Sequence, residues 1–147
     1  DIAYILHTLF NIQRRFKIRK KPSIKLKDIS TNRNAASIGM LYSAGMFSYI
    51  SQGQFQPYAI VTRGEMAGII EDYIVLRTGN IDFRTRYKTM KSKSISDIPA
   101  NHKFFNAIYL AVRKKIMNVS LSGYMNPDSP ISGLDALLII KKMIRTI

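Results

Sequence analysis

The sequence predicts an all-α protein built from tandem helix–turn–helix units. Three observations carry this: apolar residues recur at the spacing of one helix face, the pattern returns after 70 residues, and a Gly-x-x-x-Pro turn divides each copy. Gly53 to Pro57 falls on Gly123 to Pro127. Eight residues after each glycine stands an apolar residue followed by a hydroxyl, Val61-Thr62 and Ile131-Ser132, and an acid follows three residues later, Glu65 and Asp135. Met66, Ile69, Ile70, Tyr73 and Ile74 then continue at helical spacing, as do Ala136, Ile139, Ile140, Met143 and Ile144.

Both copies open alike, with Leu26 to Ser30 and Ile95 to Pro99, and a first helix follows each opening. Its apolar positions are Ala35, Ile38 and Tyr42 in one copy and Phe105, Ile108 and Val112 in the other. Asp1 with Ile2, Ile5, Leu6, Leu9 and Phe10 repeats the phase of the second helix, 64 residues ahead of Glu65. The chain therefore reads as half a repeat and two whole ones. Residues 1–22 are the last helix of an upstream unit with a basic linker, 23–80 a repeat, 81–94 a basic linker, and 95–147 a repeat with a degenerate motif. The N-terminus opens on an amphipathic pattern without a basic leader or a cleavage site, the mark of a fragment or mature segment. A half unit has nothing to cover its apolar face, so Ile2, Ile5 and Leu9 are expected to be exposed and the segment poorly soluble alone.

Charge narrows the function. With 23 Lys and Arg against 9 Asp and Glu, the net charge is +14, and 46% hydrophobic residues exclude a disordered polyelectrolyte. The partner is expected to be anionic: nucleic acid, anionic lipid or acidic polysaccharide. The absence of cysteine excludes disulfides, thiol catalysis and thiolate metal sites. The longest uncharged stretch, Asn34 to Thr62, is broken by Gly, Ser, Gln and Pro57, so no membrane span is expected. Positive charge concentrates in the connectors, as in Arg14, Arg15, Arg19 and Lys20 before the first copy and Arg84, Arg86 and Lys88 before the second. These read as solvated linkers. Five of the nine acids, Asp1, Asp28, Glu65, Asp97 and Asp135, sit at repeated positions, which assigns them local structural work.

Thr62 and Glu65 form an S/T-x-x-E capping box, with a weaker version in Ser132 and Asp135; Asp28 and Asp97 are further structural caps. Gly79 is a natural stop for the helix beginning near Arg63. Arg63 does not fit this pattern, because a cation in the first helical turn opposes the helix dipole. An anion placed there would meet free backbone amides and a guanidinium able to grip a carboxylate with two parallel bonds, and Gly64 leaves the backbone open to approach. A solvated arginine, or a partner for an acid such as Asp28, is the plainer alternative.

These residues resemble the S-layer homology family, whose repeat runs F-x-D-[VI]-P-x-x-H-W-x-x-x-A-I, G-[IVM]-[IM], then G-x-F-x-P-x-x-x-[IV]-T-R-[AG]-E and an apolar helix. Ser96 to His102 with Ala107-Ile108 resembles the opening, Gly45-Met46-Phe47 the central turn, and Gly53 to Pro57 with Val61 to Glu65 the signature half. The resemblance implies helix pairs packed around a pseudo-threefold axis. It also implies an extracellular, cell-surface role: non-covalent anchoring to an acidic, pyruvylated secondary cell-wall polysaccharide or a peptidoglycan-linked polymer. In the family the arginine of T-R-x-E contacts the ligand, which maps onto Arg63, flanked by Thr62 and Gly64. Ser132-Gly133-Leu134-Asp135 lacks it. The family's tryptophan is replaced by Lys103 and, with a one-residue deletion, by Arg33, so sugar stacking gives way to cations that suit an anionic sugar.

Other candidates are weaker. His7 and His102 have no second ligand at metal spacing and read as surface or cap residues. Tyr4, Tyr49, Tyr58 and Tyr124 read as core residues closing the turns. No catalytic constellation, metal site or cofactor motif emerges, so an enzyme is not expected. The functional expectation is a carbohydrate-binding anchor. The alternatives are a degenerate module assembling envelope-protein subunits in a homo-oligomer, layer or filament, and, supported by charge alone, a nucleic-acid binder.

Overall fold

In a computed structural model of the chain, residues 2–10, 26–50, 53–90 and 94–147 are described, residues 9 and 10 as backbone only. They form five α-helices: α1 Ile2–Phe10, α2 Ala35–Ala44, α3 Arg63–Thr78, α4 Phe105–Arg113 and α5 Gly133–Thr146. A single 3₁₀ turn, Ile81–Arg84, follows α3. The described residues hold no β-strand, only one isolated antiparallel bridge between Thr62 and Pro130. The fold is all-α, as the periodicity predicts.

Two compact units divide the chain, residues 1–59 and 60–147. In each, the second helix of one repeat packs against the first helix of the next. In the first unit α1 lies on α2, with Ala3, Leu6, Ile38 and Leu41 buried. Ile2 and Ile5 are half-buried, while the Leu9 side chain lies outside the described residues. Phe47 and Phe55 close this unit edge to face, their rings 5.0 Å apart.

In the second unit α3 packs on α4. Met66, Ile69, Ile70 and Ile74 are buried, as are Phe105, Ile108, Tyr109 and Leu110. Part of the expected solvated connector belongs to this core. Phe83 is buried, with the Arg86 guanidinium 4.4 Å above its ring, and Arg84 donates to the fully buried Asp72 at 2.7 Å. Asn106 ties three segments together. Its amide donates to the Glu71 carboxylate and to the Phe83 carbonyl (2.6 Å), and its oxygen accepts from the Tyr87 amide (2.7 Å). The basic stretch at residues 14–25, Lys91, Lys93 and Asp1 lie outside the described residues.

The repeat recurs bond by bond. The Asp28 carboxylate accepts from the Phe55 and Gln56 amides at 2.8 and 2.6 Å, and Asp97 accepts from Met125 and Asn126 at the same two distances. Neither acid caps a helix; each braces the turn that follows a left-handed glycine, Gly53 (φ 69°) or Gly123 (φ 80°). Lys27 N donates to Gly53 O, and Ser96 N to Gly123 O, closing the same loop. Ahead of the first helices, Asn32 Oδ1 accepts from the Asn34 amide and His102 Nδ1 from the Phe104 amide, so His102 does the work of an asparagine. The tyrosines correct the sequence reading. Tyr4, Tyr58 and Tyr124 are exposed and Tyr49 is half-buried, because Phe47, Phe55 and Met125 take the places beneath the turns.

Candidate functional site

The site begins at the N-terminus of α3. Thr62 Oγ1 accepts from the Glu65 amide at 3.2 Å, and the Glu65 carboxylate accepts from the Thr62 amide at 2.9 Å, forming a reciprocal capping box. Ser132 Oγ likewise accepts from the Asp135 amide at 3.0 Å and donates to its carboxylate at 2.7 Å. Against the first cap runs the turn of the second copy. Arg63 N donates to Ser129 O (2.9 Å), Gly64 N to Pro127 O (2.8 Å), and Ile131 N to Val61 O (2.9 Å).

This arrangement overturns two expectations about the helix end. The amides of Thr62, Arg63, Gly64 and Glu65 all have protein acceptors, so no free amide cradle awaits an anion. Nor is Gly64 open to approach. It is buried, and a Cβ there would meet Phe104 Cδ2 at 2.8 Å and the Pro127 carbonyl at 3.2 Å. Glycine is required by this close approach of backbone and ring.

What remains for a ligand is the Arg63 side chain. Its Nε donates to Met125 O (2.8 Å) and its Nη2 to Asn118 O (2.9 Å), which orients the guanidinium and leaves its Nη1 edge without a hydrogen bond among the described residues. The sequence alternatives of a solvated side chain or an acid partner both differ from this clamp on two carbonyls. Arg63 lines a groove of about 240 Å³ with Ile116, Met117 and Asn118 on one side and Asp135, Leu138, Ile139 and Lys142 of α5 on the other. Two cations and one carboxylate give it a net positive charge.

Lys103 is exposed with its Nζ 5.0 Å from the centre of the Phe104 ring, the ring that covers Gly64. Arg33 is exposed in the first unit, in the turn leading to α2. Sequence reasoning missed the far wall of the groove. Leu138 and Lys142 stand at the repeat positions of Gly68 and Asp72, and that change of character was the available signal.

The carboxyls of Asp28 and Glu71 are perturbed. Burial pushes Asp28 up, but the hydrogen bonds from the Phe55 and Gln56 amides outweigh it and hold the group below its ordinary value. Burial pushes Glu71 up, against the hydrogen bond from Asn106 and the attraction of Arg84. His7 Nδ1 lies 2.9 Å from Ser37 Oγ, and no group of three His, Asp or Glu side chains suited to a metal occurs among the described residues. No described helix is long and apolar enough to cross a membrane.

The model of the S-layer homology domain family matches residues 25–67 and 94–137. No curated protein and no solved structure matches the chain. The two matched segments contain both braced turns, the capping box and the Arg63 clamp. On this sequence match, with the repeated bonds that accompany it, the chain belongs to the S-layer homology family, non-catalytic modules that bind cell-wall polymers and hold proteins at the cell envelope.

Proposed function

We propose that this module anchors its protein to the envelope by binding an acidic, pyruvylated secondary cell-wall polysaccharide in the groove between Arg63 and α5. One observation carries the reading. Arg63 is held by two backbone carbonyls, its Nη1 edge makes no hydrogen bond among the described residues, and Lys142 lines the same groove. A guanidinium fixed in this way loses little freedom on gripping a carboxylate. Ile116, Leu138 and Ile139 offer apolar wall to the carbon face of a sugar ring. The groove is smaller than the roughly 300–1,000 Å³ of drug-sized pockets, a size suited to one acidic sugar unit of a chain that continues into solvent. Thr62 and Gly64 support this reading by fixing the helix end from which Arg63 projects. Lys103 and Arg33 supply cations outside the groove, where a long anionic polymer is attracted without being read in detail.

The test is cosedimentation with purified envelope polymer, before and after mild acid treatment that removes ketal-linked pyruvate. Arg63→Ala is expected to reduce binding by about 10-fold or more, the order of one lost charge-assisted contact. Because Arg63 also ties down a loop, Lys142→Gln is the cleaner variant: it is exposed, and its loss is expected to weaken binding several-fold with the fold intact. Binding that ignores both substitutions and the acid treatment would sink the proposal.

A further inference from the structure

The two copies end their first helices differently. After α2 come Ser43, Ala44 and Gly45; at the same positions 70 residues on stand Arg113, Lys114 and Lys115. Both ends close in the same way, through a left-handed residue followed by an amide that reaches back to the helix. Gly45 takes that conformation freely, whereas Lys115 holds it (φ 57°) against the crowding of its own Cβ. Three uncharged residues have become three cations, and one of them is kept in a strained backbone position that the fold fills elsewhere with glycine.

The negative end of the helix dipole favours cations here, but it does not account for Arg86, which comes to the same place from another segment. The Arg86 guanidinium carbon lies 4.4 Å and the Lys114 Nζ 5.7 Å from the centre of the Phe83 ring. Phe83 is buried, so one fixed ring gathers two like charges. The ring attracts each cation and neutralises neither. Neither forms an ion pair with a carboxylate among the described residues. Glu71 and Asp72 are engaged by Arg84 and Asn106, and Asp82, in the neighbouring 3₁₀ turn, pairs with neither cation. Asp1, in the other compact unit, is the only acid outside the described residues.

We infer that Arg86 and Lys114 on the Phe83 ring, with Arg113 and Lys115 exposed at the same helix end, form a second anion site, one for a phosphate monoester. Such a group carries about 1.5 to 2 negative charges at neutral pH and several acceptor oxygens, enough to meet a guanidinium and an ammonium together. A carboxylate neutralises only one of the two. None of these four residues lines the Arg63 groove, so the inference does not depend on the polysaccharide reading.

The test follows binding of inorganic phosphate, glycerol phosphate monoester and dimethyl phosphate to the 147-residue protein by phosphorus NMR at constant ionic strength. Dimethyl phosphate, a singly charged diester, is expected to bind about fivefold more weakly than the other two. Arg86→Gln with Lys114→Gln is expected to weaken phosphate binding about tenfold or more, the scale of two lost charge-assisted contacts. Lys115→Gly is expected to weaken it about twofold while making the protein more stable, a divergence that a purely structural lysine would not give. Lys27→Gln with Arg145→Gln makes the same change in net charge at two exposed positions elsewhere and is expected to bind as the wild type does, as is Arg63→Ala. Sedimentation with phosphatidylcholine vesicles containing phosphatidic acid separates the two sources of the group. Binding to glycerol phosphate monoester without binding to the vesicles supports the site with a sugar or polyol as carrier, and binding to both supports it with a lipid headgroup as carrier. Dimethyl phosphate binding as tightly as inorganic phosphate, equal losses in the two double variants, or phosphate binding that Lys115→Gly leaves unchanged or Arg63→Ala abolishes would overturn the inference.

Discussion

Lys115 occupies a left-handed backbone position (φ 57°) after α4, where the first copy has Gly45 (φ 101°) after α2. In both, the next residue's amide reaches back to close the helix: Met46 N to Leu41 O at 3.0 Å and Ile116 N to Ala111 O at 2.9 Å. A side chain is strained there and glycine is not, so Lys115→Gly is expected to raise stability by about 0.5–1 kcal/mol after the added freedom of the unfolded chain is deducted. Urea denaturation would show a higher midpoint at unchanged slope. Asp28 gives a prediction in pH. Its carboxyl is held below its ordinary value of 3.8, so its stabilisation is complete above that value and is lost as pH falls through the lower folded value. Asp28→Asn is expected to remove that part of the acid sensitivity and to lower stability at pH 7 by about 1–2 kcal/mol, since an amide accepts only one of the two hydrogen bonds well. Stability measured from pH 7 to pH 2 on both proteins checks the sign.

Among the elements, α3 is capped at both ends. Its start is set by the Thr62–Glu65 box and its end by Gly79 in the left-handed region (φ 69°), both readable in the sequence because each acts within four residues. Its interior acid was not readable. Asp72 is fully buried, and its partner Arg84 stands in a basic stretch that composition marks as solvated linker. Arg84→Ala removes the 2.7 Å ion pair from that buried carboxylate and is expected to lower stability by about 3 kcal/mol, with Asp72→Asn recovering part of the loss in the double variant. An Arg84→Ala protein as stable as wild type would show that the segment is linker after all.

For the whole molecule, a charge of +14 attracts anions at long range, whereas the groove proposed to distinguish one anion from another spans only the few residues around Arg63. The compact units cross the repeat boundaries, each uniting the second helix of one copy with the first helix of the next. The sequence by itself determined the all-α class, the 70-residue period, the helix phases, the capping box and the glycine turns. These depend on spacing and on hydrogen bonds between near neighbours. Only the tertiary structure decided that the helix-end amides are already taken, that Gly64 lies beneath Phe104, and that Arg63 hangs from carbonyls 55 and 62 residues away. Those outcomes depend on which distant segments pack best against a shared surface, and spacing along the chain carries no record of that competition.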